Sequence, residues 1–535
     1  MVDIAIIGGG VNGLAIAREA ASHGLDVVLL ERNDIASGVT SASSHLIHCG
    51  IKYLENLEFS LVQESINEKR RLMRDAPHLT IEYPMLVPFF KGSRRPGALI
   101  RCGALLHDVM SRTHRSNGMS VRKITTAVPG IATRGLRGGV IFHDAQIVWP
   151  QRLCVELMLD AQSMGAQILT HTEVTGFLTK GNRVRGVTYV DTTGTTCNLE
   201  ATLTINVTGP WIDEFLTGKI ESPRLSGGTK GSHLVLAPFE GAPTIGLFFE
   251  AAQDGRPVFV LPWNGWYILG STDITYDGDL DEVRIDSNEI TYLLAEANRV
   301  FPDAKLSTDN VLYAYSGVRP LPYVGDVSRN STISRDHSIL DHGPTYPGLV
   351  TIIGGKLTTQ RALGEDTVAK ARTILGLPKH PSPTRQRCLP GANSADWNEY
   401  KRQFLNDSPL SAEVTTQLLH IYGIRAQRVL DLLPTTPISI LKDPDDQVLA
   451  AEVTLAVQEE NTTTLADLML RRIPHRLGAT PKDRIINLAA TTMAALLGWD
   501  STHVDHEVQA FRNEVALVHG LPDSSSDEPK DPGGE

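Results

Sequence analysis

A glycine-rich turn near the N-terminus constrains the fold of this 535-residue chain more than any other feature. The apolar, β-branched run Asp3–Ile7 predicts a buried strand, and Gly8-x-Gly10-x-x-Gly13 follows it directly. Leu14–Ser22 then has the apolar pattern of a helix. A strand, a glycine turn and a helix in this order predict a dinucleotide-binding βαβ unit.

The second strand of this unit ends in an acid. Asp26–Leu30 is apolar, and Glu31 follows it, 18 residues after Gly13. This is the spacing expected for a carboxylate that accepts ribose hydroxyls. In such a unit the glycines allow the tight turn and the approach of a pyrophosphate to the helix N-terminus.

A run of small hydroxyl residues follows the unit and bears on the choice between NAD and FAD. The run is "ASGVTSASS", from Ala36 to Ser44. Its side chains can donate to a pyrophosphate or line a ring without filling space. The alternative is a solvated Ser/Thr loop. The glycine fingerprint by itself does not separate the two cofactors.

Composition excludes several classes of protein. The net charge of −11 argues against nucleic acid as a partner, because neutralising phosphates requires a positive surplus. The five cysteines include no C-x-x-C, so a disulfide framework or zinc ribbon is not expected and a reducing cytosol is. No run of 18 apolar residues is present, and Asp3 occupies the position where a signal peptide is basic. We expect a cytoplasmic protein, peripheral at most to the inner face of the cell membrane.

Seven motifs, in the family's order, resemble FAD-dependent glycerol-3-phosphate dehydrogenases of the aerobic, quinone-linked type. They are "SASSHLIHCGIKYLE", "NVTGPW", "TKGSHLVL", "GSTDITYDGD", "YSGVRPL", "ISRDH" and "IIGGKLTTQR". The resemblance covers roughly residues 3 to 375. It implies an α/β protein with a Rossmann-like FAD domain of the glutathione-reductase/DAO type, an α+β substrate domain whose mixed sheet caps the flavin, and an all-α C-terminal domain.

The resemblance also implies roles for individual residues. His48 resembles the family's histidine beside flavin and substrate, and His233 is a second candidate for the base. Arg319 and Arg335 resemble its phosphate-binding arginines, with Lys52 and Lys356 as further substrate contacts. The expected FAD contacts are Gly8, Gly10, Asn12, Gly13, Glu31, Arg32, Thr40, Ser41, Ser43, Ser44, Leu46, Gly209, Gly354, Gly355, Lys356, Leu357 and Thr358.

Three positions depart from the usual family string. His45 replaces a basic residue, Cys49 replaces a glycine and Lys52 replaces an arginine. Lysine keeps the charge but loses the two-pronged hydrogen bond of arginine. The expected substrate is sn-glycerol 3-phosphate, and these departures leave a related polyol phosphate open.

The resemblance and the composition together divide the chain. FAD-binding parts are expected at 1–80, 141–214 and 336–376, a substrate domain at 215–335, a linker at 377–391, a helical domain at 392–522 and a disordered tail at 523–535. Residues 81–140 are expected to be an insertion. Within it, 94–115 combines five arginines with Leu99, Leu106 and Met110 at helical spacing, which suits either an anionic membrane surface or packing within the protein.

Two other functions remain open from the sequence. One is an amino-acid oxidase of the same broad fold that uses O₂, and the other is a flavoprotein without enzymatic activity. The motifs do not determine the electron acceptor, for which quinone is expected, and they leave a homodimer open. No metal site is expected, because His45-x-x-His48 lacks further ligands at useful spacing.

Overall fold

The computed structural model describes residues 1–48, 58–112, 115–325, 336–435, 443–479 and 481–522. The strands are β1 Val2–Ile7, β2 Val27–Leu30, β3 Leu46–Ile47, β4 Thr80–Phe90, β5 Asn117–Met119, β6 Leu136–Ile147, β7 Gln167–Leu169, β8 Glu173–Lys180, β9 Arg183–Val190, β10 Thr196–Asn206, β11 Thr229–Leu236, β12 Gly246–Glu250, β13 Pro257–Trp263, β14 Trp266–Gly270, β15 Ile274–Thr275, β16 Val311–Arg319, β17 Ser338–Asp341 and β18 Leu349–Ile353.

The α-helices follow the same numbering along the chain. They are α1 Val11–Ser22, α2 Phe59–Asp75, α3 Gly97–Ser111, α4 Val121–Ala127, α5 Pro150–Ser163, α6 Ile212–Leu216, α7 Ser287–Val300, α8 Gln360–Ile374, α9 Trp397–Asp407, α10 Ala412–Tyr422, α11 Ala426–Leu432, α12 Pro444–Glu459, α13 Leu465–Asp467, α14 Pro474–Leu477, α15 Asp483–Leu497 and α16 Ser501–His519. A π-helical turn, Leu468–Arg472, follows α13.

The first sheet carries the glycine fingerprint. Its strand order is β17-β18-β10-β1-β2-β7, and β1 pairs in parallel with both β10 and β2. Strands β8 and β9 extend β10 as antiparallel neighbours. The central strands are fully buried because α1, α5 and α8 cover them with apolar side chains. This arrangement confirms the predicted strand–turn–helix–strand unit.

The second sheet caps the first and is mostly antiparallel. Its order is β15-β11-β14-β13-β12-β4-β6-β3, with β16 paired to the free side of β11. β4 and β6 pair along their full length, and β4 also pairs with β12. The segment 81–140, predicted to be an insertion, thus contributes most of β4 and part of β6 to this sheet.

The C-terminal domain is helical, as predicted for residues 392–522, and contains α9 to α16. The predicted linker 377–391 does not behave as a free connection. Ser382 and Thr384 hydrogen-bond the carboxylate of Glu19, and the amide of Leu389 donates to the Asp75 carbonyl at 3.0 Å. This segment therefore has buried contacts with the FAD-binding domain. The expected disorder of 523–535 falls outside the described residues.

In the described part of the chain, no helix is both long enough and apolar enough to cross a bilayer.

Candidate active site

A cavity of about 2300 Å³ is lined by both sheets and by helices of the C-terminal domain. Every residue predicted to contact FAD lines it, from Gly8 of the fingerprint to Thr358 before α8. Ligand pockets usually measure about 300–1,000 Å³, so this cavity has room for more than one small ligand. The predicted contacts are thus brought together, although their lining a cavity does not by itself assign them a role.

The fingerprint glycines have no room for side chains. A Cβ on Gly13 would lie 2.0 Å from the Gly8 carbonyl oxygen, and Gly8 has φ +114°. Helix α1 begins after Gly10 with no acidic residue in its first turn and no side-chain cap. Its N-terminus therefore presents amide groups and the positive end of the helix dipole to an anion such as a pyrophosphate.

Glu31 is positioned by the backbone around it. Its Oε2 accepts a hydrogen bond from the Gly9 amide at 2.6 Å, and its Oε1 accepts from the Asn33 amide at 2.9 Å. Burial raises the pKa of Glu31, and these two amides oppose that rise. A carboxyl group held in this way keeps further lone pairs for ribose hydroxyls.

A second glycine loop lines the cavity beside the first turn of α1, and it leaves space for a flat ring. Gly354 and Gly355 have φ +82° and +102°, which favours glycine at both positions. Asn12 donates from Nδ2 to the Gly354 carbonyl at 3.3 Å, while its buried Oδ1 has no hydrogen-bond partner. The buried ammonium group of Lys356 lines the same wall. A planar, polar ring beside this backbone would supply the partner that Asn12 lacks.

The Ser/Thr run is packed between the two sheets, and it is not a solvated loop. Thr40 Oγ1 accepts from the Val11 amide at 3.1 Å. The Tyr315 hydroxyl donates to the Ser43 carbonyl at 2.9 Å, and Ser44 Oγ lies 2.7 Å from His233 Nε2. The run therefore connects the fingerprint helix to the cap sheet, at the position expected for a segment that passes beside a cofactor.

His233 lies on β11 and its ring is almost fully buried. The ring stacks on Tyr315, its neighbour on β16, with 4.9 Å between centroids. Burial, followed by the positive charge of Arg319 and by His45, lowers the pKa of His233 well below 6.5. The imidazole is therefore neutral at pH 7 and can accept a proton.

Arg319 ends β16 on the same face of the sheet as Tyr315. Its Nη2 donates to Ser271 Oγ at 2.9 Å and to the Thr272 carbonyl at 3.3 Å, and its Nη1 lies 3.3 Å from Asp273 Oδ1. The side chain lines the cavity and is 23% exposed. These contacts orient a guanidinium group that can still bind an anion in the cavity.

Comparisons with known proteins identify the family. The family described as "FAD dependent oxidoreductase" matches residues 3–361, and "C-terminal domain of alpha-glycerophosphate oxidase" matches residues 382–504. A glycerol-3-phosphate dehydrogenase of Synechocystis sp. is 37% identical over 97% of both chains. The aerobic glycerol-3-phosphate dehydrogenase of Escherichia coli is 30% identical over 88% of this chain and 93% of its own. The chain belongs to the FAD-dependent glycerol-3-phosphate dehydrogenase family.

A solved structure supports the fold. The glycerol-3-phosphate dehydrogenase from Bacillus halodurans complexed with FAD superimposes with a TM-score of 0.78, covering 98% of this chain and 96% of that one, at 24% identity. FAD is the cofactor of this family. It is therefore the ligand expected at the glycine loops and at Glu31.

Gly231 and Gly270 leave space for the candidate catalytic residues. Both glycines lie within the family motifs, but no role was assigned to them from the sequence. A Cβ on Gly231 would lie 2.1 Å from Arg319 Nη2, and a Cβ on Gly270 would lie 2.4 Å from His233 Cδ2. Each glycine thus leaves the space on its strand that a neighbouring side chain occupies. A glycine inside an otherwise apolar strand is the signal that could have indicated this close approach.

Of the remaining predicted site residues, the structure describes His48 and Arg32 but not Lys52 and Arg335. His48 lines the cavity, so it remains a candidate for the base. Lys52, Arg335 and the departing residue Cys49 lie outside the described residues, and their roles stay predictions. Arg32 lines the cavity but also pairs with Asp281 and lies 4.9 Å from the Trp211 ring.

His45, which departs from the family string, is unusually placed. It has φ +58°, is 3% exposed and lies edge-on to Trp263 with 5.3 Å between centroids. Burial lowers its pKa to about 4, opposed slightly by the Ser41 carbonyl. His45 is therefore neutral at pH 7, and the basic side chain usual at this position is replaced by an uncharged ring against the cavity.

Proposed function

We propose that this protein oxidises sn-glycerol 3-phosphate to dihydroxyacetone phosphate and passes the electrons to a quinone. The observation that carries this is the placement of His233 and Arg319 on adjacent strands, facing a cavity that also contains the FAD-binding loops. FAD, when bound, supplies the two-electron acceptor for the hydride that leaves C2 of the substrate. The protein's side chains must bind the phosphate and remove the hydroxyl proton.

Arg319 is the proposed phosphate ligand in the described part of the chain. Its Ser271 and Asp273 contacts fix the plane of the guanidinium, and a fixed fork matches the geometry of phosphate oxygens. Gly231 leaves the space that this orientation needs. Arg335 and Lys52 are proposed as further ligands from the family resemblance alone.

His233 is the proposed base, with His48 as the alternative. The charge of Arg319 lowers the pKa of His233, so a bound phosphate dianion would offset that charge and raise the pKa again. The proton affinity of the base would then increase when substrate is present. The Ser44 hydroxyl, 2.7 Å from Nε2, is placed to relay the proton from the substrate hydroxyl to the ring.

Anaerobic mixing tests the substrate assignment. The FAD-loaded protein is mixed with sn-glycerol 3-phosphate, its enantiomer, glycerol and a panel of other polyol phosphates, and flavin absorbance is followed. We expect rapid bleaching by sn-glycerol 3-phosphate alone. Faster bleaching by another polyol phosphate would show that the departures at positions 45, 49 and 52 have changed the substrate. Bleaching by glycine or D-alanine would favour an amino-acid oxidase.

The cavity continues beyond the proposed substrate site into an aromatic region. Its walls there include Trp149, Phe248, Phe259, Trp263, Trp266 and Tyr313. Neighbouring rings are 4.8 to 6.3 Å apart from Trp149 through Trp263 and Trp266 to Tyr313. Flat aromatic walls suit a ring-shaped acceptor such as a quinone, whereas O₂ needs no such surface.

Helix α3 borders this region and exposes an apolar face that supports membrane docking. Ile100 and Arg95 of the α3 region line the cavity. The exposed side chains on α3 are Leu99 (54%), Leu105 (59%), Leu106 (39%) and Val109 (69%). Met110, predicted on this face, instead packs against a small cluster on α2. We propose that this face inserts into the interfacial layer of the inner surface of the cell membrane.

The arginines around α3 contribute less charge than the sequence indicates. Arg95 pairs with Glu250 at 2.5 Å, Arg115 pairs with Glu82, and Arg94 donates to the Asp254 carbonyl at 2.7 Å. Because these arginines are engaged within the protein, apolar insertion is expected to contribute more to membrane binding than electrostatic attraction.

Reoxidation of the substrate-reduced protein tests the electron acceptor. We expect a short-chain quinone to reoxidise the flavin much faster than O₂ does. Faster reoxidation by O₂ would exclude a quinone-linked enzyme.

A further inference from the structure

Three side chains of types that can bind a metal lie together outside the lining of the large cavity. They are Glu64 of α2, and Asp336 and His337, which immediately precede β17. One ligand atom from each lies within 4.8 Å of the others. His337 Nδ1 is 3.5 Å from Asp336 Oδ1.

A fourth carboxylate orients the histidine. His337 Nε2 lies 3.1 Å from Asp366 Oδ2 on α8, and the ring is 9% exposed. A carboxylate at Nε2 favours the tautomer that carries its proton there, which leaves the lone pair of Nδ1 directed at Asp336 and Glu64. Metal-binding histidines commonly donate their other ring N–H to a carboxylate in this way.

Two buried atoms of the cluster have no hydrogen-bond partner. They are Nδ1 of His337 and Oε1 of Glu64. Buried polar atoms are nearly always paired, so two orphaned acceptors at one point indicate a missing partner. Within the described ranges, neither Glu64 nor Asp366 pairs with a lysine or arginine.

We propose that Glu64, Asp336 and His337 bind one divalent first-row metal ion, Zn²⁺ or Mn²⁺. One imidazole nitrogen and two carboxylates are ligands that both ions accept, with water in the remaining positions. Two ligands bound to Zn²⁺ at the tetrahedral angle are about 3.4 Å apart, close to the observed separation of Nδ1 and Asp336 Oδ1.

The ion would have a structural role. It would join α2 to the segment before β17, while Asp366 connects the same histidine to α8. The Asp336 carbonyl oxygen lies 2.8 Å from where a Cβ on Gly354 would be, so this segment packs directly against the FAD-binding glycine pair. A metal here would therefore support the flavin side of the cavity without contacting substrate.

Metal binding to the FAD-loaded, full-length protein tests the proposal. After chelator treatment and dialysis, the protein is equilibrated with Zn²⁺, Mn²⁺ or Mg²⁺, and bound metal is measured by elemental analysis together with the thermal midpoint. We expect one equivalent of Zn²⁺ or Mn²⁺, a raised midpoint, and weak binding of Mg²⁺, which disfavours imidazole.

Variants assign the site. Glu64→Gln and His337→Gln should abolish stoichiometric binding and the midpoint shift. Asp366→Asn, which keeps all three ligands, should weaken binding roughly 10- to 100-fold. His380→Gln removes an exposed histidine elsewhere and should bind as the wild type does. Wild-type protein that binds no metal, or ligand variants that bind it normally, would overturn the proposal. The first result would indicate that Nδ1 carries a proton instead, so that a protonated His337 lies between Asp336 at Nδ1 and Asp366 at Nε2.

Discussion

Gly231 offers a test of the substrate site that leaves its charged groups intact. The Cβ of a Gly231→Ala variant would lie 2.1 Å from Nη2 and 2.5 Å from Cζ of Arg319. Non-bonded heavy atoms prefer separations of about 3.5 Å or more, so the guanidinium must move by roughly 1.4 Å. Such a shift breaks the alignment of Arg319 with Ser271 and Asp273.

The expected loss follows from the value of a hydrogen bond to a charged group. Such bonds contribute about 1.5–3 kcal/mol, so misplacing Arg319 should lower kcat/KM for sn-glycerol 3-phosphate roughly 10- to 160-fold. FAD content should be unchanged, because Gly231 is not among the residues predicted to contact FAD. The assay is steady-state oxidation with an artificial electron acceptor, and flavin absorbance reports the cofactor content.

Two further variants determine whether the effect passes through Arg319. Gly176→Ala on β8 is the control, since a Cβ there meets nothing within 4 Å. Arg319→Ala should itself lower kcat/KM by roughly 10² or more. If Gly231→Ala acts by displacing Arg319, the double variant should be no worse than Arg319→Ala alone. Multiplicative losses in the double variant, or wild-type kcat/KM in Gly231→Ala, would refute the assigned role of Arg319.

Three other expectations concern the base, the membrane and pH. His233→Ala should slow anaerobic flavin bleaching by sn-glycerol 3-phosphate roughly 10²- to 10⁴-fold with normal FAD content, and an unaffected rate would transfer the role to His48. Leu105→Glu plus Val109→Glu should reduce flotation with anionic vesicles even at 1 M salt, while Arg101→Glu should matter only at low salt; equal flotation of all proteins would exclude α3 as the docking face. The free energy of unfolding should fall as pH drops from about 6.5 towards 4, because burial holds the pKa of His45, His78 and His519 at about 4, 3 and 4. The unfolded chain takes up these protons first, so denaturant titrations of His519→Phe should show a shallower pH dependence than wild type, and identical slopes would contradict the assignment.

Local patterns account for the parts of the fold that the sequence predicts well. The fingerprint glycines require their backbone geometry, as the 2.0 Å approach to Gly13 shows, so the βαβ unit could be predicted from spacing alone. The helix Ala412–Tyr422 likewise has local signals at both ends, since Ser411 caps it and Gly423 ends it. In both cases the determining residues are neighbours in the chain.

Features that depend on distant residues could not be predicted in the same way. The strands β4 and β6 are separated in the chain by α3, β5 and α4, and only their pairing with each other and with β12 places them in the cap. Glu64 and His337 are brought together by the packing of α2 against the start of β17 and α8, and no spacing in the sequence indicates this. The pairing of Arg95 with Glu250 likewise removes charge that the sequence shows as a basic patch.

The C-terminal domain is connected to the cofactor side of the cavity by buried charges. Arg472, after α13, pairs with Asp34 at 2.6 Å, three residues beyond the ribose-facing Glu31, and both side chains are fully buried. Arg152 of α5 pairs with Glu460 at 2.7 Å, also without exposure. A buried ion pair adds little net stability, because desolvation offsets the attraction, but removing one partner leaves a buried charge and costs about 3–5 kcal/mol. Replacing Arg472 or Glu460 with an uncharged residue would therefore leave Asp34 or Arg152 buried without this partner. The two domains are for this reason expected to fold and bind FAD as one cooperative unit.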